Sequence, residues 1–167
     1  MNMNEAVKEI KAANHLDGLA AMLKLVVNEG SSLGFLPPMS DAAAAEYWLG
    51  LTRENLLLLA VQVNGEIAGS VQLHLSPKQN GLHRAEIAKL MTHPAYRKRG
   101  IGRLLMEKAE QRAKEEGRSL LVLDAREGAP SNKLYHSLGY TAAGKIPNYA
   151  KSADGTLHTT VIFYKEI

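Results

Sequence analysis

The sequence predicts a mixed α/β fold, a central sheet flanked by helices, and three observations carry that prediction. Stretches of helical spacing alternate with apolar runs of strand length. Asn64-Gly65 sits between two such runs, the preferred pairing for a tight hairpin turn. Leu120 to Leu123 is a short continuous apolar run between two helical stretches, as expected for a strand covered on both faces. The order is strand, two helices, several strands, helix, strand, helix, two strands. It has no internal repeat and no linker, so one domain is expected over residues 1–167.

Taken in order, Val7 to Ala12 alternates apolar and charged residues and predicts a short opening strand. Asn14 is placed to cap a helix whose apolar positions are Leu16, Leu19, Ala20, Leu23, Val26 and Val27. Ser31 to Met39, with one Gly, two Pro and no period, reads as a loop. Ser40-Asp41 opens a second short helix that ends near Gly50. Leu56–Val63 and Glu66–Leu75 are the arms of the hairpin, and Ser76 to His83 is a polar loop. Ala85 to Thr92 reads as a further strand, stopped by His93-Pro94. From Ile101, the positions Leu104, Leu105, Ala109 and Ala113 mark one face of a helix ending at Gly117. After the strand Leu120–Leu123, which ends in Asp124, Pro130 to Leu138 predicts a helix closed by Gly139. Tyr140 to Ala150 and Leu157 to Tyr164 predict the last two strands, joined through Asp154-Gly155.

Composition narrows the function classes. Lys plus Arg is 20 against 17 for Asp plus Glu, a surplus too small to argue nucleic-acid binding without a concentrated basic face. With no cysteine there is no disulfide framework, no thiol nucleophile and no thiolate metal site. His74, His83, His93, His136 and His158 are dispersed without an i, i+4 pair, so no metal is expected. No run approaches the roughly 20 apolar residues of a membrane span. Met1 to Glu5 lacks the order of a signal peptide, and a cytoplasmic protein without membrane or nucleic-acid partners is expected.

The informative stretch is Leu90 to Arg103 (LMTHPAYRKRGIGR), where a strand ends, a basic loop follows and a helix opens with Gly100 and Gly102. The first turn of a helix carries unpaired N–H groups and a partial positive charge, which suits phosphate. Arg97, Lys98 and Arg99 add charge around it. No Gly-Lys-Ser/Thr follows, so this is not a nucleotide-triphosphate loop of the Walker type. Leu105 stands where the dinucleotide fingerprint needs a third glycine or alanine. A solvated basic loop that merely caps a helix is the competing reading.

Arg97-x-x-Gly100-x-Gly102, following Leu90-Met91-Thr92-His93-Pro94, resembles the acyl-CoA-binding motif of the GNAT superfamily of N-acetyltransferases. Leu134-Tyr135-His136-Ser137-Leu138-Gly139-Tyr140 resembles that superfamily's next motif, and the order of elements matches over nearly the whole chain. Within the superfamily, Ser32 to Phe35, Asn80-Gly81, Arg84-Ala85-Glu86, Ile146 to Ala150 and Asp154-Gly155 are similar to the tabtoxin-resistance acetyltransferases. The resemblance implies the GNAT fold and direct transfer of acetyl from acetyl-CoA, the co-substrate, to an amine. It implies that backbone N–H groups of Arg99, Gly100, Ile101, Gly102 and Arg103 hold the pyrophosphate, with Arg97 and Lys98 beside them. Leu90, Met91 and Thr92 would pair with the pantetheine arm as an added strand, and a free N–H there would face the thioester oxygen. Tyr135 is similar to the superfamily's general acid, which protonates the departing thiolate; a packed helix tyrosine is the rival reading. The superfamily often has asparagine seven residues earlier, where this chain has Gly128; Asn132 is carried over instead as a contact to the CoA arm. Many relatives are dimers, which leaves a homodimer open.

Amine attack needs a neutral nitrogen, while alkylamines are protonated near pH 7, so a carboxylate acting directly or through water is a reasonable base. Strand alternation puts Glu86 on one face with Ala88 and Leu90, where partial desolvation raises its pKa. An ion pair with Arg84 or Lys89 is the structural alternative. Asp124, at the end of its strand, is placed to bind a substrate ammonium or share the base role, or else to cap a turn. Trp48 and Phe35 are candidates for an acceptor pocket, or for the core. The acceptor expected is a small amine: an antibiotic, a toxin or a metabolite. The alternative is a non-catalytic acyl-CoA sensor of the same fold.

Overall fold

The protein is described by a computed structural model covering residues 7–167. Met1 to Glu5, read above against a signal peptide, lies outside the described residues. In chain order the elements are β1 (Val7–Glu9), α1 (Leu16–Asn28), α2 (Asp41–Leu49), β2 (Leu56–Val63), β3 (Glu66–Leu75), β4 (Arg84–Thr92), α3 (Ile101–Glu115), β5 (Leu120–Arg126), α4 (Pro130–Ser137), β6 (Thr141–Lys151) and β7 (Leu157–Glu166). The strands form one sheet in the order β1-β2-β3-β4-β5-β7-β6. All pairs are antiparallel except β4 with β5.

The run Leu56 to Val61 is apolar throughout because both faces of the sheet are covered. Leu59 and Val61 point to a core shared with Leu105 and Met106 of α3, Tyr135 of α4 and Phe163 of β7. Leu58 and Ala60 point to the opposite core, beneath Leu19, Met22, Leu23 and Val26 of α1 and Trp48 of α2. Ser40 caps α2 as expected, its hydroxyl accepting from the Ala43 N–H at 3.1 Å. Asn14 does not cap α1. It lies inside a 3-10 turn, Ala12–His15, and the helix starts after His15 with no side-chain cap.

Two departures from simple alternation build the site. The register of β3 against β4 shifts between Ser70 and Gln72, and Lys89 takes up the extra residue at φ 54°. This β-bulge reverses the facing of the rest of β4. Ala85 and Ile87 face the α3 core, but past the bulge Met91 faces the α1/α2 core, and Leu90 packs on the α3 side. Glu86 therefore shares its face with Ala88 and not with Leu90, which corrects the expectation from uninterrupted alternation.

The second departure is the parting of β4 and β5. Their pairing covers only Arg84 to Glu86 against Leu120 to Val122, although β4 runs on to Thr92 and β5 to Arg126. The wedge opens at the carboxyl ends of the two parallel strands, where ligands gather in open α/β sheets. The start of α3 sits at its mouth. A Cβ on Gly102 would lie 3.4 Å from Leu134 of α4 and 4.0 Å from the Thr92 hydroxyl of β4. Asp124 is not the last residue of its strand, since β5 continues two residues to Arg126. It is a strand-face residue opposite Ile162, so the turn-capping alternative does not apply.

Candidate active site in the wedge between two parting strands

The loop from His93 to Gly100 is shaped by three local devices. Pro94 starts a 3-10 turn in which the His93 imidazole accepts from the Ala95 N–H at 3.1 Å. Lys98 and Gly100 then take left-handed conformations, at φ 61° and 81°. Gly100 is the residue that precedes α3, a place where the missing Cβ removes the strain of that conformation. The first bond of the helix is Leu104 N–H to the Gly100 carbonyl at 3.1 Å. Among the described residues, the N–H groups of residues 98–103 meet no acceptor. A run of converging free N–H groups in such a turn forms an anion-binding nest.

The side chains around it are cationic and partly restrained. Arg97 pairs with Glu29, at the end of α1, at 2.7 Å. Arg99 lies over the Tyr96 ring at 5.4 Å, and Arg103 donates to the Ser137 hydroxyl at 2.6 Å. Lys98 makes no ion pair among the described residues and is exposed. Residues 98–103 and the β5-facing edge of Leu90, Met91 and Thr92 therefore fit a diphosphate with an extended arm. Asn132 fits such a role less well, because its amide N–H groups are committed to the carbonyls of Arg126 and Ala129, at 2.8 and 2.9 Å.

The charge of Asp124, on β5, acts on both Glu86 of β4 and Tyr135 of α4. Burial holds the Glu86 carboxyl above its ordinary range, the Asp124 charge adds to this, and the Lys89 ammonium opposes it. Burial pulls Lys89 downward, while Asp124 and Glu86 hold it up. Asp124 is fixed by the Thr160 hydroxyl, which donates to its Oδ2 at 3.1 Å. Tyr135 is buried, its ring 5.5 Å from Phe163 and 6.0 Å from Tyr140. Burial raises its pKa, with Ser131 opposing and Asp124 adding. A hydroxyl held protonated is what a proton donor requires, and the ring packs in the core at the same time.

On the α1/α2 side of β4 a cavity of about 740 Å³ opens beside Glu86, lined among others by Tyr47, Gln72, His74 and Lys89. Gln72 is buried and donates to the Tyr47 hydroxyl at 2.8 Å, and its carbonyl lies 2.9 Å from the His74 Nε2. His74 stands directly opposite Glu86 in the register. Burial, then Arg53 and Lys89, lower the His74 pKa, which favours the neutral ring. Phe35 packs edge-on against Tyr47 at 5.0 Å and carries the Lys89 ammonium 5.6 Å from its ring centre. It lines the acceptor side, whereas Trp48, 1% exposed, belongs to the core. The sequence offers Lys89 as a partner for Glu86 and sets His74 aside as a metal ligand; the structure places Tyr47 and Gln72 beside them. One signal was available: Ser70, Gln72 and His74 alternate with Val71, Leu73 and Leu75, a polar face in a strand otherwise made for burial.

Among the described residues there is no group of His, Asp or Glu able to hold a metal ion, and no helix long and apolar enough to cross a membrane. The sequence matches the model of the Acetyltransferase (GNAT) family over residues 23–140. It is 33% identical over 105 residues to an uncharacterized N-acetyltransferase in the hisH-hisA intergenic region of Azospirillum brasilense, covering 60% of this chain and 62% of that protein. Over 91 residues it is 26% identical to the L-methionine sulfoximine/L-methionine sulfone acetyltransferase of Salmonella typhimurium, covering 54% of this chain and 53% of that one. The chain thus spans about three fifths and about half the length of these two relatives. The structure of yncA from Salmonella typhimurium with its cofactor acetyl-CoA superposes with a TM-score of 0.79 at 17% identity, over 96% of this chain and 92% of that one. At that identity the likeness is one of fold.

Proposed function

Because the chain belongs to the GNAT family of acetyltransferases, we propose that it transfers an acetyl group from acetyl-CoA to the amine of a small molecule. The observation that carries this reading is the nest of unpaired N–H groups at residues 98–103, set at the mouth of the wedge where β4 leaves β5. The nest and the adjoining edge of Leu90 to Thr92 hold the co-substrate, which supplies an activated acetyl thioester. Glu86, with its raised pKa and Asp124 beside it, takes a proton from the acceptor's ammonium and so frees the nitrogen lone pair. As the N–C bond forms and the C–S bond breaks, an N–H of β4 faces the charge developing on the carbonyl oxygen. Tyr135 delivers its proton to the departing sulfur and recovers one from the second proton that the acetylated nitrogen sheds. With no cysteine in the chain, direct attack needs no acyl-enzyme.

A small acceptor is supported by the Salmonella relative, which acts on L-methionine sulfoximine and L-methionine sulfone. The finer likeness to the tabtoxin-resistance acetyltransferases, and a role against an antibiotic or toxin, belong to the same reading. So does a single domain acting in the cytoplasm, and a homodimer formed through β6, a strand exposed along almost its whole length. Calorimetric titration with acetyl-CoA, followed by thiol release across a panel of amines, tests the proposal. Saturable binding and release with at least one small amine are expected. Binding without release from any amine would leave only the sensor, and no heat on titration would end both.

A further inference from the structure

The loop of residues 30–37 and the turn between β6 and β7 enclose a second cavity, of about 460 Å³, on the acceptor side of Phe35. Arg126 reaches into it from the end of β5. Its guanidinium is half-buried and donates to the Ser152 hydroxyl at 3.2 Å and to the His158 Nε2. Neither partner is a carboxylate. No carboxylate pairs with Arg126 among the described residues. The acid lining this cavity, Asp154, has its carboxylate turned to the Thr156 N–H at 2.9 Å. A partly desolvated guanidinium left without an anion is a binding site for one, since its fork of donors matches a carboxylate in a bidentate fashion.

Position within the strand sets which anion. Asp124 and Arg126 are two residues apart in β5 and so project from the same face, roughly 6–7 Å apart along the strand. Thr160 stands opposite Arg126 and holds Asp124 through its hydroxyl, which ties the two charges to one frame. Glu86 lines the cavity beside α2, and Arg126 lines the one beside the β6–β7 turn. The Lys89 ammonium lies over the Phe35 ring, 5.6 Å from its centre, and feels the charges of Asp124 and Glu86. Resting on the acetyltransferase reading above, the geometry points to a zwitterionic acceptor of amino-acid size. Its ammonium lies at Glu86 and Asp124, and its carboxylate is anchored by Arg126. His158 and Ser152 hold the guanidinium in place. Arg126 is thus a specificity-determining residue, since it selects acceptors that carry an anion a few bonds from the reacting amine.

The test compares L-α-amino acids with their carboxamides, at saturating acetyl-CoA, in the wild type and in Arg126→Gln. The wild type is expected to favour at least one free amino acid over its amide by about tenfold or more in kcat/KM. Arg126→Gln is expected to lower kcat/KM for that acid by about 10- to 100-fold, mainly through KM, so that the acid-to-amide ratio falls toward one. Arg126→Lys should recover part of the ratio, which a purely structural role for the residue would not give. The acetyl-CoA affinity of each variant, by calorimetry, reports whether it is folded. Equal use of acid and amide, acetylation confined to amines without an anion, or a ratio unchanged in Arg126→Gln would each overturn the anchor while the acetyltransferase reading stands. Loss of acetyl-CoA binding by the wild type would overturn both.

Discussion

Glu86 shows how burial and charge together set a residue's chemistry. Its carboxyl is raised by burial first and by Asp124 second, against the pull of Lys89. A base must be deprotonated to act, so its activity is lost as pH falls through a value above the ordinary carboxylate 4.5. Asp124→Asn removes a negative neighbour and should move the Glu86 titration to lower pH, while Lys89→Met should move it higher. Carbon-detected NMR of the Glu86 carboxyl measures both, and a shift of the opposite sign in either variant would contradict the coupling. Glu86→Gln is expected to reduce kcat by about 100-fold or more with acetyl-CoA affinity retained. Tyr135→Phe keeps the ring against Phe163 and Tyr140, so stability should change by no more than about 1 kcal/mol. Full turnover in that variant would remove the acid role and leave the tyrosine as core packing.

At the scale of the element, the site depends on two interruptions of regular strand structure, the bulge at Lys89 and the loss of pairing beyond Glu86. α3 packs closely on the strands beside them. Gly69 allows this: a Cβ there would sit 2.8 Å from Ile101 and 2.9 Å from the Met91 carbonyl, on the bulged strand itself. Backbone at that distance does not yield easily, so Gly69→Ala should destabilise the fold by about 1–3 kcal/mol in urea unfolding. It should also weaken acetyl-CoA binding by displacing the start of α3. A variant with unchanged stability would show that the packing is looser than these contacts indicate. The elements themselves were legible where local chemistry decides them. Asn64-Gly65 fixed the hairpin, Ser40 fixed the start of α2, and the face of Leu105, Ala109 and Ala113 fixed α3. Asn14 misled because a good capping residue is also a good turn residue, and a 3-10 turn won there. The bulge was not legible, since Lys89 is neither Gly nor Asn and nothing local marks it for a left-handed conformation.

For the molecule as a whole, a ligand that binds only the folded state raises its stability. Acetyl-CoA at about a hundred times its Kd should add about 2.7 kcal/mol. For a chain of this size that corresponds to a rise in Tm of about 5–10 °C by scanning calorimetry. The gain should shrink at high salt, because Lys98 and its neighbours are exposed and are screened within a Debye length. A Tm unmoved by acetyl-CoA would contradict the nest as its site. The sequence by itself determined the order of elements, the two apolar faces of the sheet and the glycine-containing turn before α3, because periodicity, Asn-Gly, Pro and Gly act over a few residues. It also singled out Glu86, Asp124 and Tyr135 as the groups to examine. Only the tertiary structure decided that β4 changes face at Lys89, that β5 runs on to Arg126, and that Gln72, His74 and Arg126 line cavities. Those facts follow from strand register and from packing between segments far apart in the chain, and a local pattern of residues does not encode either.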